Sequence, residues 1–419
     1  TPVTVSNLDT ARSALTPEPD AWPVLQRLRA AGLDETEVGL NHIVVACADF
    51  SGTPYWSPTP YWSPTSPYWS PTPYWSPTGP AEYAMPGSGG RTPAAVMLPD
   101  PATHAHEPKR APVVIVPDTG VGAHPWFRDP DKTPSEVTVN GVLLGVDGPM
   151  NPLPPDQVNP LNGTLAPYAG HGTFIAGVVR QRCPSARILG VPIFGGDGVV
   201  TQSLLTNTLV ALLIRQSQAL ATNSPDLLID VLSLSLGYYY EDPSDAATDA
   251  MLRRLMTAFG QRGVAVVAAA GNDATLTPFH PAAFAGQVAG FDSDAVPLVS
   301  VGALNPNGED VAYFSNAGPW VSTHRLGANL ISTMPTDLNG DRQSSVALEY
   351  DDLRRATIDP DDFTGGFGTW SGTSFAAPVM AGELAQHLAE DQMTQQAERT
   401  VAVERGWRAV NRVLPHWSP

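Results

Sequence analysis

The chain has 419 residues, 42% of them apolar, which is enough for one large domain with accessories or for two ordinary domains. Its 41 acidic residues against 23 basic ones leave a net charge of −18, which argues against a nucleic-acid partner because a polyanion is repelled. Two cysteines, Cys47 and Cys183, exclude a disulfide framework, and no run approaches the roughly 20 apolar residues of a membrane-spanning helix.

In chain order, residues 1–20 lack the basic and apolar regions of a signal peptide. A start at Thr1 leaves the compartment open between cytoplasm and a processed secreted form. Residues 20–47 carry a short helical pattern (Trp22, Leu25, Leu28, Leu33) and then an apolar, strand-like run from His42 to Cys47. This is too little to fold alone and is expected to pack on something larger. Both cysteines free is the simpler expectation, with a Cys47–Cys183 pair as the alternative.

Residues 51–92 form a separate segment. TPYWSPTPYWSPTSPYWSPTPYWSPT (53–78) repeats one phrase four times, at spacings of six, seven and six, before a Gly/Ser-rich stretch. Proline every two to four residues excludes helix and predicts a polyproline-II arm, roughly 80 Å long at about 3.1 Å per residue. Four exposed Trp–Tyr pairs are unfavourable in water, so the arm is expected to lie on a surface or in a partner's groove.

From about Ala111 the texture changes. VVIV (113–116), ILGVPIF (188–194), VLSLSLG (231–237), VAVVAAAG (264–271) and PLVSVGA (297–303) are short runs with little alternation, as in strands buried on both faces of a parallel sheet. Between them, residues 202–213 place Leu204, Leu205, Leu209, Leu212 and Leu213 on one helical face, and residues 250–260 do so with Met251, Leu252, Leu255 and Phe259. The alternation predicts an α/β sandwich with right-handed crossovers, in which reactive groups gather at the carboxyl ends of the strands.

Four motifs stand at such places. Asp118 ends the first run in VVIVPDTG; alone it reads equally as a turn residue. His171 opens a helical stretch in YAGHGTFIAGVV, where Gly170 and Gly172 leave the imidazole approachable and Ala176 and Gly177 let the helix approach a neighbour. Asn272 follows a strand in AAAGND, where its amide could donate to an oxyanion or simply close an Asx turn. Ser374 stands at the mouth of a thin helix in WSGTSFAAPVMAGELAQHL, as a nucleophile or as an N-cap.

Each has a bland explanation singly, but together they follow the chain order Asp, His, Ser. The motifs PDTG, HGTFIAG, AAAGN and SGTSFAAP resemble those of the subtilisin-like serine proteases, the subtilases, over roughly residues 108–392. Pro117 before the Asp, and Tyr238 where a second Gly often follows SLG, depart from that pattern. The resemblance implies a three-layer α/β sandwich with a mostly parallel central sheet. It also implies a serine endopeptidase with catalytic Asp118, His171 and Ser374 and with Asn272 in the oxyanion hole. Substrate would pair as an added strand beside Ser235, Leu236 and Gly237 and beside Gly198, with Ala270 and Gly271 flanking the pocket. Neither lining segment offers an acidic residue, which favours an apolar or aromatic P1 side chain. HGT in full argues against a sedolisin-type site with Glu in place of His.

On this reading the chain divides into residues 1–50, an N-terminal clasp in preference to a prodomain remnant; 51–92, the YWSPT arm; 105–392, the catalytic domain; and 393–419, a helical extension. No cofactor is required. Asp361 and Asp362 in the acidic insert 336–367 leave structural calcium open, without EF-hand spacing. The expected partner is a peptide or protein substrate, with the YWSPT arm itself as a candidate occupant of the cleft. The competing function is an interaction or maturation protein whose repeats recruit a partner or one dedicated peptide.

Overall fold

A computed structural model describes residues 21–32, 39–47, 90–97, 99–105, 107–134, 136–145, 157–240, 250–287, 294–391 and 396–417. The YWSPT repeats, and with them the expected polyproline-II arm, lie outside the described residues. The elements begin with α1 (Trp22–Ala30), β1 (Ile43–Ala46), β2 (Thr92–Pro93), β3 (Val113–Asp118), β4 (Thr138–Val139) and β5 (Val142–Leu143). Then come α2 (His171–Arg182), β6 (Arg187–Pro192), β7 (Val199–Thr201), α3 (Gln202–Ala221), β8 (Val231–Leu234), β9 (Leu236–Gly237), α4 (Ala250–Gly260) and β10 (Ala265–Ala269). The last are β11 (Val299–Leu304), β12 (Thr323–Leu326), β13 (Leu330–Thr333), β14 (Ala347–Tyr350), β15 (Leu353–Ala356), β16 (Phe367–Trp370), α5 (Thr373–Glu390) and α6 (Arg399–Val413).

The five apolar runs all become strands of one six-stranded parallel sheet, ordered β12-β11-β10-β8-β3-β6. Every residue of β3, β8 and β10 is buried, because helices cover both faces. Helices α2 and α5 pack against each other and on the sheet; α3 and α4 pair in the other layer. The architecture is therefore a three-layer α/β sandwich. The sixth strand, β12, reads Thr-His-Arg-Leu and is half-buried throughout, so an edge position left no apolar run to find.

Helix α3 buries Leu205, Leu209 and Leu212 but leaves Leu204 and Leu213 only partly covered. In α4 the buried face is Leu252, Leu255, Met256 and Phe259, an i, i+3, i+4, i+7 set. Met251, expected on that face, precedes it by one residue and is 55% exposed. The acidic insert contributes an exposed hairpin, β14–β15, whose two-residue turn puts Asp351 and Asp352 at φ 46° and 61°.

One ionic cluster ties distant segments together. Asp230, just before β8, accepts two hydrogen bonds from Arg110, at 3.0 and 2.7 Å, one from Arg405 of α6 at 3.2 Å, and the Val113 N–H at 2.8 Å. No helix among the described residues is long and apolar enough to cross a membrane.

Candidate active site

Asp118 is the last residue of β3, where the chain leaves the sheet. Pro117 lies beyond the β3–β8 pairing, which covers Val114 and Ile115, so its missing N–H costs no bond on that side. Gly120 at φ 84° then turns the chain back. His171 is the first residue of α2, and its Nδ1–H donates to Asp118 Oδ1 at 2.8 Å, with Oδ2 at 3.0 Å. Oδ1 also accepts the Thr119 N–H at 2.8 Å, while Thr119 Oγ1 accepts the Gly172 N–H at 2.9 Å. Strand end and helix start are thus bolted together on both sides of the pair. Gly172 serves this approach rather than access to the ring, which is fully buried: a Cβ there would stand 2.3 Å from the Gly120 carbonyl oxygen, whereas Gly170 makes room for Met334.

Ser374 is the second residue of α5, not its cap; Gly372 precedes the helix. Pro378 lies one turn further on and has no N–H for the Ser374 carbonyl. Ser235 fills that role, its Oγ–H donating to Ser374 O at 2.8 Å. The Ser374 hydroxyl in turn lies 3.4 Å from Ser235 O, and His171 Nε2 has no hydrogen-bond partner among the described residues. Tyr168, Trp370 and Phe375 close around the imidazole, with ring centroids 5.2–5.6 Å away.

Asn272 follows β10, and Thr373 fixes the sense of its amide. The Thr373 N–H and Oγ–H both donate to Asn272 Oδ1, at 2.9 and 2.8 Å, which turns Nδ2 towards the cleft. Asn316 holds the same loop from behind: its amide bonds the Ala270 carbonyl, the Asp273 N–H and the Tyr239 hydroxyl. Gly271 is at φ 98° with its N–H on Thr373 Oγ1.

The cleft is filled by the chain's own N-terminal segment. Strand β1 lies antiparallel between β7 and β9, with Val45 opposite both Val199 and Gly237, and Ala46 opposite Leu236. The Ala46 N–H donates to Gly198 O at 2.9 Å, and the Cys47 N–H to Ser235 O at 3.0 Å. Tyr168 Oη donates to Ala46 O at 2.9 Å, and Asn272 Nδ2 donates to the Cys47 carbonyl. Val44 and Ala46 point inward and are buried; Ile43 and Val45 point out. Upstream, His42 stacks on Tyr238 and bonds Gln202 Oε1 at 2.9 Å, so the residue that departs from the SLG pattern is part of this segment's seat. Burial, with the Asp273 and Asp118 carboxylates adding to it, pushes the Cys47 thiol well above its usual range.

Asp118, His171, Asn272 and Ser374 are therefore brought to one place, and Ser235, Leu236, Gly237 and Gly198 line the segment seated there. Ala270 and Gly271 form the backed loop beside Asn272. Thr373, Asn316, Tyr168 and Phe279 were not singled out from sequence; Thr373 lies inside SGTSFAAP, Tyr168 opens YAGHGTFIAGVV and Phe279 lies in PFHPAAF, a stretch that resembles the family's segment after its oxyanion Asn, and only Asn316 had no motif to flag it. Cys47 and Cys183 are both free and buried. Asp361 and Asp362 point to different partners, the Arg342 N–H and Thr364. Among the described residues no three His, Cys, Asp or Glu side chains converge as metal ligands.

The model of the subtilase family matches residues 109–406. Among curated relatives, a thermophilic serine proteinase of Bacillus sp. (strain AK1) is 26% identical over 231 residues, 53% of this chain and 45% of that one. Subtilisin BL of Lederbergia lenta is 28% identical over 240 residues, 54% and 69% of the two chains. The match thus spans less than half of the first relative's length. A cold-adapted subtilisin-like serine proteinase of solved structure is 20% identical with a TM-score of 0.44, covering 74% of this chain and 86% of that one. A lanthipeptide protease gives 18% and 0.46, covering 70% and 78%.

Proposed function

Because the chain belongs to the subtilase family, we propose that it is a serine endopeptidase working through Asp118, His171 and Ser374, with Asn272 in the oxyanion hole. The observation that carries this reading is a peptide segment seated in the cleft whose Cys47 carbonyl accepts from Asn272 Nδ2. The N–H of the same residue and the Ser374 hydroxyl meet on one acceptor, Ser235 O.

In this mechanism Ser374 Oγ turns from Ser235 O, gives its proton to the open His171 Nε2 and adds to the peptide carbonyl carbon. Asp118 keeps the proton on Nδ1, so that Nε2 is the basic nitrogen, and it stabilises the imidazolium that forms. Negative charge on the carbonyl oxygen is met by Asn272 Nδ2, already aimed by Thr373, a contribution of roughly 2.7–4 kcal/mol in comparable sites. His171 then protonates the leaving amine, and water hydrolyses the acyl ester by the same steps reversed. Protein side chains and water suffice for every step, with no cofactor. Substrates are held as a middle strand between β7 and β9, mainly through backbone bonds.

Comparing wild type with Ser374→Ala on fluorogenic peptides tests the reading. Wild-type hydrolysis that disappears in the variant is expected. No hydrolysis of a broad peptide library by folded wild type would overturn it.

A further inference from the structure

Two lead-ins place the reacting groups: the turn 166–169, which runs into His171, and strand β16, which ends at Trp370 just before Ser374. A side chain from a third segment touches both. Arg91, immediately before β2, lays its guanidinium over the Trp370 ring, 5.0 Å from the centroid, with the Phe363 ring at 5.8 Å. Its Nη1 donates to the Ala169 carbonyl at 2.8 Å and reaches those of Ala166 and Pro167 at 3.3 Å, and its Nη2 donates to Ala166 O at 3.3 Å.

The backbone around Arg91 is fixed to the second lead-in. In the sheet β13-β16-β2, Thr92 stands opposite Thr369 and Pro93 opposite Gly368, and the Ala94 N–H donates to Phe367 O at 3.0 Å. Burial lowers the guanidinium to about 10, with Asp361 opposing the fall and Arg342 adding to it, so the charge is kept at neutral pH.

Both contacts lead to the imidazole. The Trp370 ring meets His171 edge to face, with centroids 5.5 Å apart, and Tyr168 does so from another side at 5.6 Å. Tyr168 lies between the Pro167 and Ala169 carbonyls that Arg91 holds, and its own carbonyl accepts the His171 N–H at 3.0 Å. His171 Nε2 has no hydrogen-bond partner among the described residues, and the Ser374 hydroxyl is turned to Ser235 O. The approach of Nε2 to Oγ is therefore set by the walls that place the ring, and a misplacement of about 1 Å there can cost about 10²-fold in rate.

We propose that Arg91 is a positioning residue for the peptidase reaction: it braces the turn before His171 against the strand that leads to Ser374, and so sets the approach of Nε2 to Oγ. The proposal rests on the peptidase reading above. Arg91 precedes residues 109–406, which the family model matches, so this brace reaches the family domain from outside it. An Arg91 that merely pinned β2 to the fold would change stability and leave kcat alone.

Full-length wild type, Arg91→Lys and Arg91→Met would be compared by kcat and KM on a fluorogenic peptide, by the rate of Ser374 labelling with a fluorophosphonate, and by melting temperature. Val410→Ala, a core truncation in α6, reports the effect of lost stability alone. Arg91→Met keeps an apolar stem but removes the charge and the donors. Its kcat should fall about 10–100-fold with KM within about twofold of wild type, and labelling should slow in proportion. Arg91→Lys keeps the charge without the fork and should lose less, about threefold to tenfold. Val410→Ala should melt lower at wild-type kcat. Wild-type kcat in folded Arg91→Met, or a raised KM with kcat unchanged, overturns the proposal and leaves the peptidase reading standing. If Arg91→Met does not fold, Arg91→Lys decides on the same terms. Folded wild type that neither hydrolyses peptides nor takes the label overturns both.

Discussion

Asn272 uses both ends of its amide: Oδ1 accepts from Thr373, and Nδ2 donates to the Cys47 carbonyl in the cleft. Asn272→Ala removes the donor while the Asp118–His171 pair keeps its geometry, so kcat should fall about 10²–10³-fold with KM little changed. Thr373→Val keeps the shape of the side chain but deletes one of the two bonds that orient the amide. A smaller loss, about tenfold, is expected in the same steady-state assay, with a melting temperature close to that of wild type. Both residues show how far the site could be read from sequence. Asn272 stood in a four-motif set and Thr373 inside one of its motifs, whereas Asn316 acts through Ala270 and Asp273, more than 40 positions away, and nothing local marks such contacts.

Among the elements, the junction of β3 with α2 is close-packed. Gly172 leaves no space for a methyl group beside the Gly120 carbonyl, so Gly172→Ala must push the helix start, and His171 with it, away from Asp118. A stability loss of about 1–3 kcal/mol by denaturant titration, together with a lower kcat, is the expected outcome. The strands that carry the site were legible because a sheet buried on both faces writes continuous apolar runs into the sequence. β12 was not, being a polar edge, and the face of α4 was misplaced by one residue at Met251. The run His42–Cys47 did read as a strand, but its place between β7 and β9 depends on pairing across some 150–190 residues, which no local pattern encodes.

At the scale of the whole molecule, Asp230 joins the approach to β3, the start of β8 and helix α6 through Arg110 and Arg405. Burial alone would raise its pKa; the charges of Arg110 and then Arg405, with hydrogen bonds from Arg110 and the Val113 N–H, outweigh that and hold it below the ordinary carboxylate range. A depressed folded value means that the unfolded chain takes up the proton first. The stabilisation is therefore complete above about pH 3.9 and is lost as pH falls below that, through the lower folded value. Asp230→Asn should cost about 3–5 kcal/mol at neutral pH, because two buried guanidinium groups lose their counter-charge. It should also flatten the fall in stability that wild type is expected to show below about pH 4, as read by thermal melts across pH.

In the proposed mechanism Ser374 Oγ is made nucleophilic by His171, whose Nδ1 is held by Asp118. Reaction of full-length protein with a fluorophosphonate, followed by peptide mapping, tests this most directly. The expected result is a single adduct on Ser374 in wild type that is lost in His171→Ala. Folded wild type that takes no label, or an adduct that maps elsewhere, would contradict it.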